Sequence, residues 1–489
     1  MHLKKYLFVF LFSLFLFPIQ GQISMNSDSL LKIKRPDSLF SISRKPFKAA
    51  AFVFGTNMGV WSFDRYAING PYAHINFSTI KQNIKTGFVW DNDMFVTNLF
   101  AHPYHGGLYF NAARSNGMNF WQSIPFAAGG SLMWEFCMEN EPAAINDFMA
   151  TTIGGTCLGE LTFRISDRFI DDRAVGFDRF RREALLTLIS PIRGLNRILS
   201  GDAWRHRNVK GNSISRAPIV FYSTIGYRLI TDNTHNKNDV SHMVCYDLGL
   251  YYGNPFDLDN EKPYDFFSLK MSGNFLSQQP VISRFSALGL LYARNIKLKR
   301  HSRQLTFGIF QHFNFYQTNT DINNVSLNPF KISEAASVGP GLLFKNKLTN
   351  RFTFAGSAHL SAILLGASQA DYFKYEKRDY NMGSGFSSKL NFDFDFHDKV
   401  RLMLNSEDYR IYSWVGNNPS STLPISSNVQ GDVGHSSLSV VMLSLSYKPS
   451  KHLILGAQTG YFYRRSVYKY YTNITHSVTD HKLSIGYIL

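Results

Sequence analysis

The sequence predicts a mainly β protein with an N-terminal α-helical part, and three observations lead to this prediction. Aromatic residues make up 15% of the 489 residues and charged residues only 18%, against roughly 25% charged residues in an average soluble domain. The C-terminal half alternates large apolar residues with small or polar ones at a period of two. A mean hydropathy of −0.15 excludes a bundle of membrane-spanning helices, which needs several stretches of about 20 apolar residues.

Residues 1–21 have the pattern of a secretory signal peptide. Lys4 and Lys5 precede an apolar run over 6–17, and small and polar residues follow Pro18 where a signal peptidase would cut. The apolar run is too short to span a bilayer comfortably, although an uncleaved anchor is the alternative. Residues 22–46 are polar and lack periodicity, so we expect a flexible lead-in to an exported protein.

The segment 217–489 contains about twelve runs of strand character separated by turn residues. In Leu305–Phe315 the odd positions are almost all large and apolar, and in Leu390–His397 the second face carries Asn391, Asp393 and Asp395. The predicted strands begin near Ile219, His242, Tyr264, Ile282, Gln304, Glu334, Phe352, Asn381, Val400, Ser437, Leu453 and His476.

These strands favour an antiparallel outer-membrane β-barrel of about 12 strands. Such barrels have an even number of strands of about 9–11 membrane-spanning residues, with an apolar outer face and aromatic girdles. The chain also ends on the alternating set Leu483, Ile485, Tyr487 and Leu489, which is typical of the terminal strand by which the barrel-assembly machinery recognises its clients. The alternative is a secreted β-sandwich or propeller, which rarely needs so many long aromatic strands. We therefore expect outer-membrane location, with outer-membrane lipid as a partner and the polar strand faces lining the lumen.

Residues 47–216 differ in character and predict a helical domain. Residues 94–113, 122–138, 143–152 and 183–199 have helix-like apolar spacing, and the first three are interrupted by polar residues or proline before they reach the length of a membrane span. Gly155 and Gly159 have the spacing that lets two helices approach closely. We expect a compact plug or cap packed against, or inside, the barrel.

Polar residues within this apolar region are candidates for chemistry. On a continuous helix Asn98, His102, His105 and Tyr109 would share one face, and Glu135 and Glu139 would stack one turn apart. Two histidines beside two glutamates could bind a divalent metal or supply a general acid and base. Pro103 weakens the pattern, because proline is frequent at the first position of a helix and would move His102 off the stripe.

The competing interpretation is that these groups are buried hydrogen-bonding partners that fix helix packing. A charge in an apolar bundle must be paired, and Arg114 with Glu135 or Asp147 is an obvious candidate pair. The sequence therefore predicts no metal and no cofactor, and leaves the catalytic residues unknown. The candidate polar cluster is His102, His105, Arg114, Glu135, Glu139, Asn146, Asp147 and Glu160.

This region resembles a known bacterial family. The residues that carry the resemblance are His102 to Gly117, then Trp134-Glu135, Pro142, Ile145-Asn146-Asp147, Gly154-Gly155 and Gly159-Glu160. Together they look like the uncharacterised family called domain of unknown function 3943, over about residues 90–168 and extending to 204. The resemblance implies a Gram-negative envelope protein of the Bacteroidetes type, with a helical N-terminal portion before a β-barrel, and implies no activity.

The stretch 164–216 carries twelve Lys or Arg residues against six Asp or Glu, a good share of the net charge of +16. Its amphipathic segment 178–199 suits an interfacial helix. Candidates for contacts with lipid headgroups are Arg179, Arg181, Arg182, Arg193 and Arg197, and the alternative is a solvated basic surface. Nucleic acid is not an expected partner, because no stacking platform or recognition motif is present.

The sequence favours a non-enzymatic outer-membrane protein in transport or envelope-lipid handling. It has no Gly-x-Ser-x-Gly elbow, phosphate-binding loop or His-Glu-x-x-His motif. Two alternatives stay open: a lipid-modifying enzyme that uses His102, His105, Glu135 and Glu139 at the membrane boundary, and a structural scaffold for envelope partners. The substrate and the oligomeric state are unknown at this stage.

Overall fold

Twelve strands close into one antiparallel barrel in the computed structural model. The structure describes residues 43–90, 93–211, 217–233, 239–257, 262–275, 280–296, 298, 302–317, 331–374, 378–420 and 429–489. The predicted signal peptide and most of the lead-in lie outside them. The strands are β1 Ile219–Asp232, β2 Asp239–Tyr252, β3 Phe267–Phe275, β4 Arg284–Ile296, β5 Arg303–Tyr316, β6 Ile332–Thr349, β7 Phe352–Gln369, β8 Tyr380–Phe396, β9 Val400–Ser413, β10 Gly434–Tyr447, β11 Leu453–Tyr468 and β12 Ile474–Ile488.

Each strand pairs with its neighbours in sequence, and β1 pairs with β12 to close the barrel. Register shifts interrupt the ladder between β4 and β5, β5 and β6, β6 and β7, and β7 and β8. Such bulges bend a strand and increase its local twist. Every predicted strand exists, and each begins within three residues of its predicted start.

The helical part precedes the barrel. Its α-helices are α1 Pro46–Phe63, α2 Phe77–Thr86, α3 His102–Arg114, α4 Phe120–Cys137, α5 Ile145–Met149, α6 Gly155–Asp167, α7 Gly176–Ile189 and α8 Pro191–Leu199. The wider π-type turns Thr97–Ala101 and Ala150–Gly154 precede α3 and α6. Ser190 and Pro191 divide the predicted helix 183–199 into α7 and α8, because proline favours the first turn of a helix over its interior. Among the described helices, none combines the length and the apolar character needed to cross a bilayer.

Contacts across the barrel identify the side chains that point into the lumen. The Arg284 guanidinium on β4 donates to the Glu407 carboxylate on β9 at 2.6 Å, and these strands lie on opposite sides of the barrel. The Lys389 ammonium on β8 contacts Glu334 on β6 at 2.6 Å and His312 on β5 at 3.1 Å. Strands this far apart can touch only through the concave inner side. Asn391, Asp393 and Asp395 follow Lys389 at steps of two, so they face the lumen as predicted.

Side chains fill much of the lumen in the described part of the chain. Tyr316 and Tyr409 both donate to the Glu407 carboxylate at 2.7 Å. Both tyrosines belong to a buried cluster formed by Ile230, Met243, Tyr316, Ile332, Ile363, Tyr409, Ile411, Leu438, Val440, Met442, Phe462 and Val478. Phe256 and Phe266, from the connection between β2 and β3, pack with Leu290, Phe310 and Leu343. A cavity of about 210 Å³ lies next to Phe256 and Arg401.

The opposite strand face is apolar and open to the surroundings. On β10 Val441, Leu443 and Leu445 are exposed while their neighbours Val440 and Met442 are buried in the lumen. On β12 Leu483, Ile485 and Tyr487 are exposed in the same alternating way. An outward apolar band of this kind is the defining feature of membrane barrels.

The helical part packs against the outer wall of the barrel. Phe285, Phe313 and Phe315 alternate with lumen-facing neighbours, so they point outward, yet their rings contact the ring of Phe100 at centroid distances of 5.4, 6.4 and 5.4 Å. Trp90 lies against Trp414 at 4.5 Å. Periodicity left open whether the helices lie inside the barrel or against it, and these contacts show the second arrangement.

Hydrogen bonds reinforce this interface between helices and wall. The Asn98 amide donates to the Tyr380 hydroxyl at 2.8 Å, and that hydroxyl donates to the Asp93 carbonyl oxygen at 2.8 Å. The Gln311 amide on β5 donates to the carbonyl oxygen of Ile153 at 2.9 Å. Helices and strands thus share one core, which joins residues such as Leu99 and Phe110 to Phe267 and Met382.

Candidate functional site

Glycines set the spacing of the helices that build the site. A Cβ atom on Gly106 would lie 1.8 Å from the carbonyl oxygen of Thr151, and one on Gly155 would lie 2.6 Å from the backbone of Gly106. A Cβ atom on Gly159 would lie 2.7 Å from the Phe110 ring. Backbones can approach this closely only where no side chain intervenes. The predicted role of Gly155 and Gly159 is therefore confirmed, with α3 as the partner of α6.

This packing brings His102, Glu135 and Asp147 together from α3, α4 and α5. One nitrogen or oxygen atom from each side chain lies within 4.8 Å of the others, and His102 Nε2 is 3.5 Å from Asp147 Oδ2. Glu135 and Asp147 are buried, and the His102 side chain is 14% exposed. We call these three residues the His-Glu-Asp cluster. An imidazole with two carboxylates can bind a divalent ion or transfer a proton.

Hydrogen-bond donors hold one oxygen of each carboxylate. The Asn146 amide donates to Asp147 Oδ1 at 2.8 Å, and the backbone N–H of Ala144 donates to Glu135 Oε2 at 2.8 Å. These hydrogen bonds fix the position of the two carboxyl groups. Asn146, which the sequence included among the candidates, thus lies directly behind the cluster.

His105 belongs to a neighbouring network. Its Nε2 atom is 2.9 Å from the Tyr109 hydroxyl, and this hydroxyl donates to the Asn57 amide oxygen. The Asn57 amide donates to the Gly130 carbonyl oxygen at 3.1 Å. The predicted stripe is therefore divided: Asn98 turns to the barrel wall, His102 to Asp147, and His105 to Tyr109.

Arg114 pairs with Glu160, and the predicted pairing with Glu135 or Asp147 is wrong. Arg114 Nε lies 2.7 Å from Glu160 Oε2, and Arg164 Nε lies 2.7 Å from Glu160 Oε1. Arg164 also reaches Asp265 in the connection between β2 and β3, at 3.1 Å. Glu160 is fully buried, so it requires such cationic partners. Helical periodicity alone could not show that α6, rather than α4, faces Arg114.

Glu139 does not stack on Glu135 along one helix. Helix α4 ends at Cys137, and Met138 is its C-terminal cap. Glu139 therefore lies beyond the helix, where its carbonyl oxygen accepts a hydrogen bond from Asn83 at 2.9 Å. The predicted glutamate pair is thus separated by the helix end.

Three of the five arginines predicted to meet lipid headgroups are buried among carboxylates. Arg197 lies 2.7 Å from Asp172 and 2.8 Å from Glu183, and Arg179 contacts the same two carboxylates at 3.1 and 3.2 Å. Arg193 pairs with Asp167. The sequence shows that the segment 178–199 has an apolar and a basic face. It does not show which carboxylates pair with the arginines of the basic face. These guanidiniums fix the packing of α7 and α8 and do not form an open basic surface.

The other two arginines, Arg181 and Arg182, remain partly exposed. They lie 2.9 and 2.8 Å from the Asp178 carboxylate. The hydrogen bond from Arg182, and then the one from Arg181, keep the pKa of Asp178 below its ordinary value. Contact of this pair with a lipid headgroup stays a prediction.

Sequence reasoning missed several residues that support the site. Asn57 on α1 holds the Tyr109 hydroxyl, and Arg164 shares the Glu160 carboxylate. Buried polar residues have to be hydrogen-bonded, so Asn57 within the apolar segment 46–63 was the available signal. Nothing in the sequence indicated that its partner would be Tyr109.

Solved structures with similar barrels are outer-membrane channels. They include the KdgM porin (11% identity, 54% of this chain and 98% of that chain, TM-score 0.22) and the channel DcaP of Acinetobacter baumannii (9%, 56% and 96%, 0.24). A channel from Pseudomonas putida F1 matches with 9% identity, 56% and 95% coverage and a TM-score of 0.29. Likenesses this remote say nothing about what the chain binds. No curated protein matches the sequence.

The family match covers the helical part. Residues 87–192 match the family described as Domain of unknown function (DUF3943), close to the range of 90–168 extending to 204 that the sequence motifs indicated. This range contains the His-Glu-Asp cluster, His105 and Glu160. The segment that supplies the candidate site is therefore the segment that carries the match to DUF3943.

Proposed function

We propose that this chain is an outer-membrane protein that handles envelope lipids through the helical part on the outer wall of its barrel. One observation carries the proposal: the helical part, which contains a buried polar cluster, packs against the apolar outer wall of the barrel. In that position its own outer surface meets lipid chains. The barrel would then anchor the protein in the membrane and would not serve as a path for a solute.

The barrel supports outer-membrane location. In the described part of the chain each strand pairs with a neighbour on both sides, so the sheet has no free edge strand there. A closed barrel with an outward apolar face satisfies the two conditions for a β-structure in lipid. The exposed side chains of Leu443, Leu445, Leu483 and Ile485 supply that face.

The lumen argues against passage of a solute as the main activity. Arg284 and Glu407 bridge the barrel directly, and Tyr316 and Tyr409 fill the adjacent space. Opening a path through these residues would break this partly buried ion pair and the two tyrosine hydrogen bonds to Glu407, all of which stabilise the closed lumen. Transport through the barrel is therefore the weaker of the two functions that the sequence suggested.

The helical part exposes large apolar side chains in a manner that suits contact with lipid. Phe47, Phe77, Phe177 and Trp204 are each more than two-thirds exposed. The Phe177 ring lies against the exposed Phe180 ring at a centroid distance of 6.2 Å, and adjoining exposed apolar side chains of this kind suit an interface with a membrane or a protein. Because the helices adjoin the lipid-facing wall, lipid is the nearest partner for these side chains.

Fractionation and lipid analysis test the proposal. The full chain should sediment with outer membranes, migrate faster on gels before boiling than after it, and carry lipid after purification in mild detergent. The same preparation should give no stable conductance in a planar bilayer. A periplasmic, heat-insensitive protein would contradict the location, and a steady conductance without bound lipid would restore the channel function.

A lipid-modifying enzyme is the second candidate, and the His-Glu-Asp cluster is the observation that favours it. An imidazole 3.5 Å from a carboxylate is a common arrangement for proton transfer. Cells that carry Glu135→Ala or His102→Ala in a folded protein should then differ from wild type in envelope lipid composition. If neither substitution changes the lipids, the enzymatic function is wrong while the binding function stands.

A further inference from the structure

We propose that His102, Glu135 and Asp147 form a binding site for one divalent transition-metal ion of the Zn²⁺ type. The first argument is convergence. The three residues are separated by 33 and 12 positions in the sequence, belong to three helices, and place donor atoms within 4.8 Å of one another. Ligands at about 2.1 Å from a tetrahedral ion lie about 3.4 Å apart, so small side-chain rotations bring the set into range.

The donor types select the class of ion. Imidazole suits Zn²⁺ and Fe²⁺, whereas Ca²⁺ and Mg²⁺ prefer sites made only of oxygen ligands. One histidine with two carboxylates therefore favours ions of intermediate softness, such as Zn²⁺ and Fe²⁺, which accept both nitrogen and oxygen ligands. In the part of the chain that the structure describes, no cysteine lies among these donors, so a soft thiolate site is not the chemistry offered.

A second set of residues orients the ligands. Asn146 holds Asp147 Oδ1, and the Ala144 N–H holds Glu135 Oε2, each at 2.8 Å. Asp147 Oδ2 is the oxygen that lies toward His102. Ligating carboxylates in metalloproteins are hydrogen-bonded in this way, and the donors fix the direction in which the free oxygen points.

The surroundings favour a rigid site with one accessible side. The contacts of Gly106 with Thr151 and of Gly155 with Gly106 fix α3 against the turn that follows α5. Glu135 and Asp147 are buried, and His102 is the partly exposed member, so an ion would enter past the imidazole. Three protein ligands leave at least one coordination position for water or a ligand, as in catalytic rather than structural zinc sites.

The test is metal binding to the full chain in detergent. After removal of metals with a chelator, ZnCl₂ is titrated while a fluorescent chelator competes, and the bound metal is counted by mass spectrometry. Wild type should bind one zinc per chain. His102→Ala, Glu135→Gln and Asp147→Asn should each weaken binding by on the order of 100-fold or more, beyond the 10–100-fold typical of supporting residues.

Matched controls are Asp178→Asn and His206→Ala, which make the same chemical changes on exposed side chains of the helical part. Both should bind zinc like wild type. Gel mobility before and after boiling reports on the barrel, and limited proteolysis reports on the helical part, so that an unfolded variant is recognised.

Two results would overturn the proposal. The first is that wild type retains no zinc, and no Mn²⁺ or Fe²⁺ in parallel titrations. The second is that zinc binds and all three substitutions leave its affinity unchanged. Neither result depends on membrane location or bound lipid. A protein that carries lipid but no metal defeats only this proposal, and a metal-binding periplasmic protein defeats only the proposed function.

Discussion

Replacement of Gly106 by alanine should loosen the helical part while the barrel stays intact. The new Cβ atom would lie 1.8 Å from the carbonyl oxygen of Thr151, a backbone atom that cannot rotate away. Because carbon and oxygen atoms need more than about 3 Å, α3 and the following turn have to separate by more than 1 Å. Overpacking of this kind typically costs about 1–3 kcal/mol, and sometimes more.

Gly129→Ala on α4 is the matched control. Its Cβ atom would meet nothing within 4 Å, so the substitution should be neutral or stabilise the helix by about 0.5–1 kcal/mol. Thermal unfolding in detergent, followed by tryptophan fluorescence and by proteolysis of the helical part, measures the difference. Heat-modifiable migration reports separately on the barrel. Equal midpoints for Gly106→Ala and wild type would refute the argument that these backbones are in contact.

Three further predictions concern the wall, the buried charge and the apolar band. In a chain lacking its native cysteines, a short bifunctional maleimide should cross-link Phe100→Cys to Phe315→Cys on the outer wall but not to Asn314→Cys, which faces the lumen. The opposite outcome on gels would place the helices inside. Glu160→Gln removes the carboxylate that Arg114 and Arg164 share and should destabilise the helical part by about 3–5 kcal/mol in thermal unfolding, and an unchanged midpoint would contradict this pairing. Leu443→Arg on the lipid face should cost about 2–4 kcal/mol in equilibrium folding into vesicles, whereas an effect below 1 kcal/mol would argue that this face does not meet lipid.

The strands could be predicted closely from the sequence because their signal is local. A barrel strand alternates between lipid and lumen over its whole length, so each run of 9 or more residues carries its own evidence. The starts at Ile219, Phe352, Val400 and Leu453 agree with the structure to the residue. The face assignment of Asp393 followed from the same alternation.

The pairing of buried charges could not be predicted because it depends on elements distant in sequence. Different arrangements of the helices would bring different carboxylates to Arg114. Only the contact of α3 with α6 shows that its partner is Glu160. Likewise Arg197 lies in a basic amphipathic segment, and only the packing of α8 shows that it pairs with Asp172. Spacing along a helix indicates a shared face and does not indicate what covers that face.

The sequence by itself determined the architecture: a β-barrel of twelve strands preceded by helices, with Gly155 and Gly159 as a point of close helix approach. Only the tertiary structure decided where the helices lie and which polar residues meet. From the sequence alone Phe313 and Phe315 would be assigned to the lipid-facing surface, whereas in the structure Phe100 covers them. The His-Glu-Asp cluster exists only because α3, α4 and α5 converge. Local periodicity fixes the buried face of each element, whereas long-range packing chooses the partner of that face.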